Sequence, residues 1–274
     1  MAVAGSANDL SGEMGCLVTE LLKLNSLSRR FGGLQALENV SLSIGAGEVV
    51  GLIGPNGAGK TTLVNVITGV HTATGGHVIY RGKDITRYKP YEAARIGLAR
   101  TFQIVQPFPD LTVLDNVTAA ALFSSSGSSI NQAQEFAREQ LEFVGLSAQV
   151  NSPAASLTLA MRKRLELAKT LAMRPKLLFL DEVNAGLNSA EVEQAMSLIK
   201  KIAATGTTIV LIEHLIKVVV TVCSRIVVLH NGQLISQGDP RHVVNDPKVI
   251  EAYLGKRYSQ AAKDHIKNAE VSLD

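Results

Sequence analysis

The stretch of sequence that most strongly indicates the fold is Gly54-Pro55-Asn56-Gly57-Ala58-Gly59-Lys60-Thr61-Thr62, directly after the mostly apolar residues 48–53. Gly-x-x-x-x-Gly-Lys-Thr between a strand and a helix is typical of a loop that binds a nucleoside triphosphate. Its glycines let successive N–H groups point at the phosphates, and the following helix adds its positive end. Lys60 supplies a charge for the β- and γ-phosphates, and Thr61 supplies a hydroxyl ligand for Mg²⁺. The alternative, an ordinary glycine-rich turn, usually lacks both the Lys-Thr pair and the preceding buried strand.

Length and composition favour an α/β protein. The 274 residues suffice for one large domain or for one domain with a subdomain. Hydrophobic residues make up 46% of the chain, aromatic residues only 4%, and Trp is absent, so we expect an aliphatic core. The formal net charge of +3 is small, and no Lys/Arg run alternates with aromatic residues. We therefore expect no nucleic-acid partner.

The chain carries no sign of secretion or of a membrane span. Its two cysteines, Cys16 and Cys223, are far apart and lack metal-ligand spacing, which fits a reducing compartment. No apolar stretch reaches the roughly 18 residues that a membrane span needs. Residues 1–14 include acidic residues and no basic segment, so they do not resemble a signal peptide. We expect a cytosolic protein.

The apolar pattern places the phosphate loop inside a longer series of strands and helices. Strands are predicted within residues 17–42 and at 75–82, 177–180, 208–212, 226–229 and 234–235, the last two forming a hairpin around Asn231-Gly232. Helices are predicted at residues 60–68, 113–122, 134–144 and 189–203. The Ser-rich residues 124–129 are predicted to form a flexible loop. No internal repeat is visible, which predicts one nucleotide site per chain.

A pair of carboxylates ends one predicted strand. Asp181 and Glu182 follow the apolar residues 177–180. Asp181 can hold Mg²⁺ through water, whereas Glu182 is expected to point elsewhere because side chains alternate along a strand. Glu182 is then available to orient and deprotonate an attacking water. Without the phosphate loop, a solvated acidic pair at a strand end would be the better interpretation.

With these residues the chain resembles the ATP-binding cassette (ABC) family, the motor subunits of membrane transporters, over residues 21–255. The resemblance implies a P-loop NTPase fold: a RecA-like parallel-sheet core, a small antiparallel β subdomain and an inserted α-helical subdomain at about residues 101–171. It divides the chain into a tail (1–18), a nucleotide-binding domain (19–255) and a second tail (256–274). The implied cofactors are ATP and Mg²⁺, with residues 54–62 on the ATP.

The family resemblance also assigns roles to residues that would mean little alone. Phe31 stands where the family stacks an aromatic ring on adenine. Gln103, in Arg100-Thr101-Phe102-Gln103, matches a glutamine that contacts Mg²⁺ and reports to the membrane partner. His214 follows Glu213 and the apolar residues 211–212. It matches a histidine of the family that touches the γ-phosphate. The implied catalytic residues are Lys60, Gln103, Glu182 and His214, and the implied metal ligands are Thr61, Gln103 and Asp181. The other histidines are expected to be surface or structural residues.

The signature motif departs from the family pattern. Where the family has Leu-Ser-Gly-Gly-Gln at a helix start, this chain has Leu157-Thr158-Leu159-Ala160-Met161. In the family this segment covers the γ-phosphate bound to the other subunit of a head-to-tail dimer. Thr158 keeps the hydroxyl, Ala160 adds a methyl and disfavours a positive φ, and Met161 cannot replace the polar end of Gln. We expect activity to be retained because the other catalytic positions are intact.

Two further departures lie beside Glu182. Val183 replaces the family's common Pro, and Asn188 replaces the usual final Asp of residues 185–188.

Within the family, the chain is most similar to the group that serves branched-chain amino acid importers. The marks are residues 30–37, 100–103, 185–188 and 250–255. The resemblance implies a second cassette subunit, identical or related, a pair of permeases at the cytoplasmic face of the membrane, and indirectly a periplasmic or extracellular solute-binding protein. A permease groove is expected near residues 103–116, where Phe108 and Leu111 are either docking residues or buried.

Other functions stay open at this point. Relatives of the group serve urea and short amides, other amino acids, and lipopolysaccharide export. A soluble cassette protein acting on DNA or ribosomes usually has two cassettes, long coiled coils or basic arms. The altered signature leaves room for a nucleotide-binding regulatory subunit with weak hydrolysis.

Overall fold

The computed structural model describes residues 20–101, 107–124 and 129–254. Several predictions fall outside these residues: both tails, Cys16, Gln103, His265 and the centre of the Ser-rich loop. The strands are β1 (Glu20–Phe31), β2 (Leu34–Gly45), β3 (Val49–Ile53), β4 (Gly75–Tyr80), β5 (Lys83–Asp84), β6 (Leu98–Arg100), β7 (Leu177–Asp181), β8 (Thr208–Ile212), β9 (Arg225–His230) and β10 (Gln233–Gly238). The α-helices are α1 (Lys60–Ile67), α2 (Pro90–Arg95), α3 (Val113–Ser124), α4 (Ile130–Phe143), α5 (Leu159–Ala172), α6 (Ser189–Ala204), α7 (Ile216–Val222), α8 (Pro240–Val243) and α9 (Pro247–Leu254).

The larger sheet has the strand order β10-β9-β3-β8-β7-β6 and is parallel except for β10. Every residue of β3, β7 and β8 is buried, because both faces of the sheet are covered. The register pairs Leu52 with Ile212 and Ile212 with Asp181. The carboxyl ends of these three strands therefore meet at one edge, which brings the phosphate loop, Asp181-Glu182 and Glu213-His214 together.

The smaller sheet has the order β2-β1-β4-β5 and is antiparallel. Its β1–β2 hairpin turns at Gly32-Gly33, so these two glycines separate the two strands. The sheet packs with α1 on one face of the larger sheet, where Phe179 and Val210 lie; α5, α6 and α7 cover the opposite face, where Leu178 and Leu180 lie. This arrangement confirms the predicted α/β fold with a parallel core and a small antiparallel sheet.

Helices α3, α4 and α5 pack against one another. Helix α4 begins four residues before the predicted start because Ser129 forms a capping box with Gln132: the Gln132 N–H donates to the Ser129 hydroxyl at 3.3 Å, and the Ser129 N–H donates to the Gln132 side chain at 3.0 Å. The other predicted helices and strands are confirmed within a few residues. The domain bounds stay predictions. Among the described residues, no helix is long and apolar enough to cross a membrane.

Candidate functional site

The phosphate loop takes its shape from glycines that no other residue can replace without strain. Gly54, Gly57 and Gly59 have φ values of +152°, +79° and +102°. A Cβ on Gly54 would lie 2.1 Å from the backbone oxygen of Leu229, and one on Gly59 would lie 2.8 Å from the backbone oxygen of Ala36. Close packing thus fixes the loop between β3 and α1 from two sides.

Lys60 lies inside this loop as the first residue of α1. Its buried ammonium donates hydrogen bonds to the backbone oxygens of Gly54 at 2.7 Å and Pro55 at 3.1 Å. Burial lowers the pKa of Lys60, and the nearby carboxylates of Glu182 and Asp181 oppose that shift. Gly59, the residue before the helix, has no side chain to cap the first N–H groups of α1, so these groups can bind an anion.

The loop forms one wall of an open cleft of about 1070 Å³, a size suited to a nucleotide. The cleft brings together most of the predicted site residues: Phe31, Asn56, Gly57, Ala58, Gly59, Lys60, Thr61, Thr62, Glu182 and His214. It is also lined by residues that the sequence analysis missed: Leu34, Gln35, Ala36, Asn231 and Gly232. These belong to β2 and to the β9–β10 turn, whose proximity depends on the tertiary fold.

The β9–β10 turn supports the phosphate loop directly. Asn231 and Gly232 both have positive φ, +48° and +76°, as expected for an Asn-Gly hairpin turn. The Gly232 N–H donates to the Ala58 backbone oxygen at 3.0 Å, and the Gly232 oxygen accepts from the Glu38 N–H at 2.9 Å. In addition, burial raises the pKa of Tyr253 in α9, and the nearby backbone of Gly54 lowers it. Tyr253 therefore lies beside the loop.

Phe31, the predicted adenine-stacking residue, ends β1 and is 38% exposed. The Arg29 guanidinium lies 4.3 Å from the centre of its ring, and His71 meets the ring edge-on with centroids 5.1 Å apart. His71, expected to be a surface or structural residue, thus flanks a predicted binding residue. His77 instead pairs with Asp84 at 2.8 Å on the surface.

The structure changes the physical reason for the position of Glu182. Strand β7 ends at Asp181, and Glu182 adopts a left-handed backbone with φ +48°. We expected the Glu182 side chain to point away from Asp181 because side chains alternate along a strand. That reason was wrong, since the strand ends before Glu182. The Glu182 N–H donates to the Ile212 oxygen at 3.0 Å, and its carboxylate Oε1 lies 2.7 Å from Nε2 of His214. The predicted base and the predicted γ-phosphate contact are thus hydrogen-bonded to each other.

Asp181 is buried deeper than its neighbour. Its Oδ2 lies 3.4 Å from the Arg100 guanidinium, and its backbone N–H donates to the Thr101 hydroxyl at 3.1 Å. Burial raises the pKa of Asp181; Arg100 and, more weakly, Lys60 oppose the shift, while Glu182 and Glu213 add to it.

Two of the three predicted Mg²⁺ ligands, Thr61 and Asp181, have the kind of oxygen donor that Mg²⁺ prefers. The described residues contain no group of three or more His, Cys, Asp or Glu that could hold a metal. Mg²⁺ is commonly held by one or two protein oxygens, with water and phosphate oxygens completing the octahedron. The Thr61 hydroxyl and the Asp181 carboxylate are oxygen donors of this kind. Gln103, the third predicted ligand, lies outside the described residues.

The altered signature forms the N-terminus of α5. Thr158 is the N-cap, and its hydroxyl accepts a long hydrogen bond of 3.4 Å from the Met161 N–H. Ala160 lies within the helix and has no positive φ, so its replacement of glycine creates no backbone strain. Leu159 is exposed, and Met161 packs partly buried against the core. The altered residues change the chemistry of this surface and leave its backbone helical.

Two residues that differ from the family pattern line the same pocket. Ala160 and Val183 line a small, mostly apolar pocket of about 40 Å³ together with Leu187. Asn188, the third departure, caps α6: its side-chain oxygen accepts from the Glu191 N–H at 3.0 Å. An Asn serves as well as an Asp in that structural role.

The predicted docking residues are both on the surface. Phe108 is 55% exposed and Leu111 is 42% exposed, just before α3. The alternative expectation, that these two side chains are buried, was therefore wrong.

Comparison with known proteins gives matches along most of the chain. The family model described as "ABC transporter" matches residues 37–185, and the one described as "Branched-chain amino acid ATP-binding cassette transporter" matches residues 233–259. The chain is 40% identical to the high-affinity branched-chain amino acid transport ATP-binding protein LivG of Escherichia coli, covering 86% of this chain and 98% of that protein. It is 35% identical to a probable branched-chain amino acid transport ATP-binding protein of Archaeoglobus fulgidus, covering 88% and 98%.

Solved structures match as well. A nucleotide-free ATP-binding cassette from an ABC transporter superposes with a TM-score of 0.79 at 34% identity, covering 86% of this chain and all of that one. A dimeric post-hydrolysis state of a cassette bound to ADP and Pi superposes with a TM-score of 0.73 at 28% identity, covering 81% and 99%.

Proposed function

The chain belongs to the ABC transporter family, and we propose that it is the ATP-hydrolysing subunit of an importer for branched-chain amino acids or related small polar solutes. ATP hydrolysis is the characteristic activity of that family. The observation that supports a hydrolytic role for this chain is the 2.7 Å contact between Glu182 and His214 at the cleft formed by the phosphate loop. The match of residues 233–259 to a branched-chain amino acid transporter model supports the choice of solute.

In this proposal the phosphate loop binds ATP. Backbone N–H groups within residues 54–62 surround the phosphates, and Lys60 stabilises their charge. Adenine stacks on the ring face of Phe31 that Arg29 leaves open. Thr61, Asp181 and Gln103 would hold Mg²⁺, which when bound neutralises charge on the β- and γ-phosphate oxygens.

Glu182 acts as the general base. A water aligned with the γ-phosphorus loses its proton to the Glu182 carboxylate, its oxygen bonds to phosphorus, and the bond to the β–γ bridging oxygen breaks. His214 holds the carboxylate through its ring nitrogen and lines the cleft, where it would contact the γ-phosphate. Lys60 stabilises the negative charge that develops on the β-phosphate of the departing ADP.

The partners follow from the family and from two surfaces. Thr158, Leu159, Ala160 and Met161 would cover the ATP of a second cassette in a head-to-tail dimer; one similar solved structure is dimeric. Exposed Phe108 and Leu111 would dock permease subunits, placing the chain at the cytoplasmic face of the membrane. A solute-binding protein would act through the permeases.

The test of hydrolysis is steady-state ATPase activity of the assembled transporter carrying Glu182→Gln. Loss of a general base typically costs a factor of about 100 to 10,000, and we expect a fall in that range. Glu193→Gln is the matched control, because Glu193 is an exposed carboxylate paired with Lys217 away from the cleft, and it should leave turnover unchanged. Wild-type turnover in Glu182→Gln would contradict the proposal.

The test of the solute and partners is isolation of the native complex, with identification of the permeases, cassette and solute-binding protein that co-purify. Uptake of leucine, isoleucine and valine should require ATP and this chain. Co-purification with lipopolysaccharide export components would favour the exporter alternative. A regulatory subunit, which the apolar Leu159 and Met161 favour, would bind ATP with negligible hydrolysis even in the full complex.

A further inference from the structure

A second pair of side chains, fully buried, lies directly behind the Glu182–His214 pair. Asn184 and Glu213 are 2% and 3% exposed. Glu213 Oε1 accepts from the Asn184 side-chain amide at 2.7 Å and from its backbone N–H at 3.2 Å. The other oxygen, Oε2, accepts from the His214 N–H at 3.3 Å.

The two pairs join the same two loops. Glu182 and Asn184 lie in the loop after β7, whereas Glu213 and His214 directly follow β8. These strands are neighbours, and the Glu182 N–H already donates to the last residue of β8. The loops are therefore linked once at the surface of the cleft, by Glu182 and His214, and once beneath it, by Asn184 and Glu213.

Glu182 needs support because of its backbone. Its φ of +48° is unfavourable for a residue with a side chain, and such a conformation persists only where surrounding contacts hold it. Asn184 is two residues away, and Lys163 of α5 donates from its ammonium to the Glu182 backbone oxygen at 3.1 Å. Contacts on both sides of Glu182 thus fix the direction of its carboxylate.

The buried pair is a costly way to fill this space. A carboxylate removed from water is destabilising unless hydrogen bonds compensate it. Glu213 obtains three N–H donors, but within the described structure Oδ1 of Asn184 is buried without a hydrogen-bond partner. Apolar side chains would pack here at lower cost, so packing alone does not account for the pair.

We propose that Asn184 and Glu213 are positioning residues that hold Glu182 in its left-handed conformation and so align its carboxylate with His214 and the attacking water. This inference rests on the proposed role of Glu182 as the general base. Neither residue touches the substrate; both act through Glu182 and His214.

The test measures turnover and ATP affinity of the full-length chain in the assembled transporter for Asn184→Ala and for the milder Glu213→Gln. A misplacement of about 1 Å at a reacting group can cost about 100-fold, so kcat of Asn184→Ala should fall about 10- to 100-fold with the Kd for ATP changed by less than about twofold. Glu213→Gln keeps one oxygen acceptor for Asn184 and should lose less activity than Glu213→Ala. In Asn184→Ala, exchange of the backbone N–H groups at position 184 and at His214 should be faster than in the unsubstituted chain.

Two controls separate positioning from stability. Thr170→Val removes a buried hydroxyl that donates to the Glu166 backbone oxygen at 2.7 Å, far along α5, and should leave kcat unchanged. In a chain that already carries Glu182→Gln, adding Asn184→Ala should cause no further fall, because the two residues act as one unit.

The outcomes also separate the two proposals. If Glu182→Gln keeps wild-type turnover, the proposed function itself is wrong. If Glu182→Gln abolishes turnover while Asn184→Ala keeps full kcat, the function stands and the positioning role is overturned. A parallel loss of kcat and ATP affinity in Asn184→Ala, with a lowered melting temperature, would also overturn it in favour of a purely structural role.

Discussion

In the proposed function, the phosphate loop and the signature segment would contact phosphate by the same means, backbone N–H groups at the N-terminus of a helix, yet they are constrained very differently. The loop depends on three positive-φ glycines, and atoms added at two of them, Gly54 and Gly59, would collide with the backbone of β9 and β2. The signature segment is an ordinary right-handed helix start capped by Thr158, with Leu159 exposed. Because backbone atoms enclose the loop, it tolerates few substitutions, whereas the exposed helix end accepts them without backbone strain.

The largest effect is expected for Gly54→Ala, which adds a methyl group inside the enclosed phosphate loop. The new methyl would lie 2.1 Å from the Leu229 oxygen at a φ of +152°, so the loop must move. ATP affinity, measured by equilibrium binding, should fall by more than about 100-fold, since a displaced loop loses several charge-assisted hydrogen bonds together. Gly82→Ala is the matched control: Gly82 has φ +76°, nothing lies within 4 Å of its Cβ position, and ATP affinity should be unchanged. Equal affinities in the two variants would show that the loop is not rigidly enclosed.

A much smaller effect is expected for Ala160→Gly, which restores the family residue at the exposed side. Since Ala160 is already helical, glycine gains no needed conformation and costs about 0.5–1 kcal/mol of helix stability. ATPase turnover of the assembled transporter should be preserved or slightly raised. A large fall would mean that the Ala160 methyl, which faces the pocket shared with Val183, is integral to the closed dimer.

The smallest effect on turnover is expected at Asn188, which tests whether the third departure is only a helix cap. Asn188→Ala should cost about 1 kcal/mol of unfolding free energy, whereas Asn188→Asp should cost almost nothing, because both Asn and Asp cap well. Denaturant unfolding of the full chain measures both. A turnover loss in Asn188→Asp without a stability loss would give Asn188 a role beyond capping.

Local patterns predicted the elements that carry the site. The phosphate loop, the Asn231-Gly232 turn and the helix at residues 189–203 each depend on residues close together in sequence, where propensity and spacing decide. The prediction for Glu182 gave the wrong reason for the direction of its side chain, because alternation assumes that the strand continues past Asp181.

The missed contacts depend on strand order, which local patterns do not contain. Gly232 supports Ala58 because β9 lies beside β3, and Glu213 meets Asn184 because β8 lies beside β7. Sequence distance gives no sign of either contact. His71 against Phe31 is a third case, since it requires the residues after α1 to return to the end of β1.

Single-turnover hydrolysis of bound ATP by the assembled transporter carrying Glu182→Gln is the sharpest test of Glu182 as the general base, because it separates ATP binding from the chemical step. We predict that the variant binds ATP with wild-type affinity, through the intact phosphate loop, and retains it without forming ADP on the wild-type timescale. Formation of ADP at the wild-type rate would contradict the assignment of Glu182 as the general base.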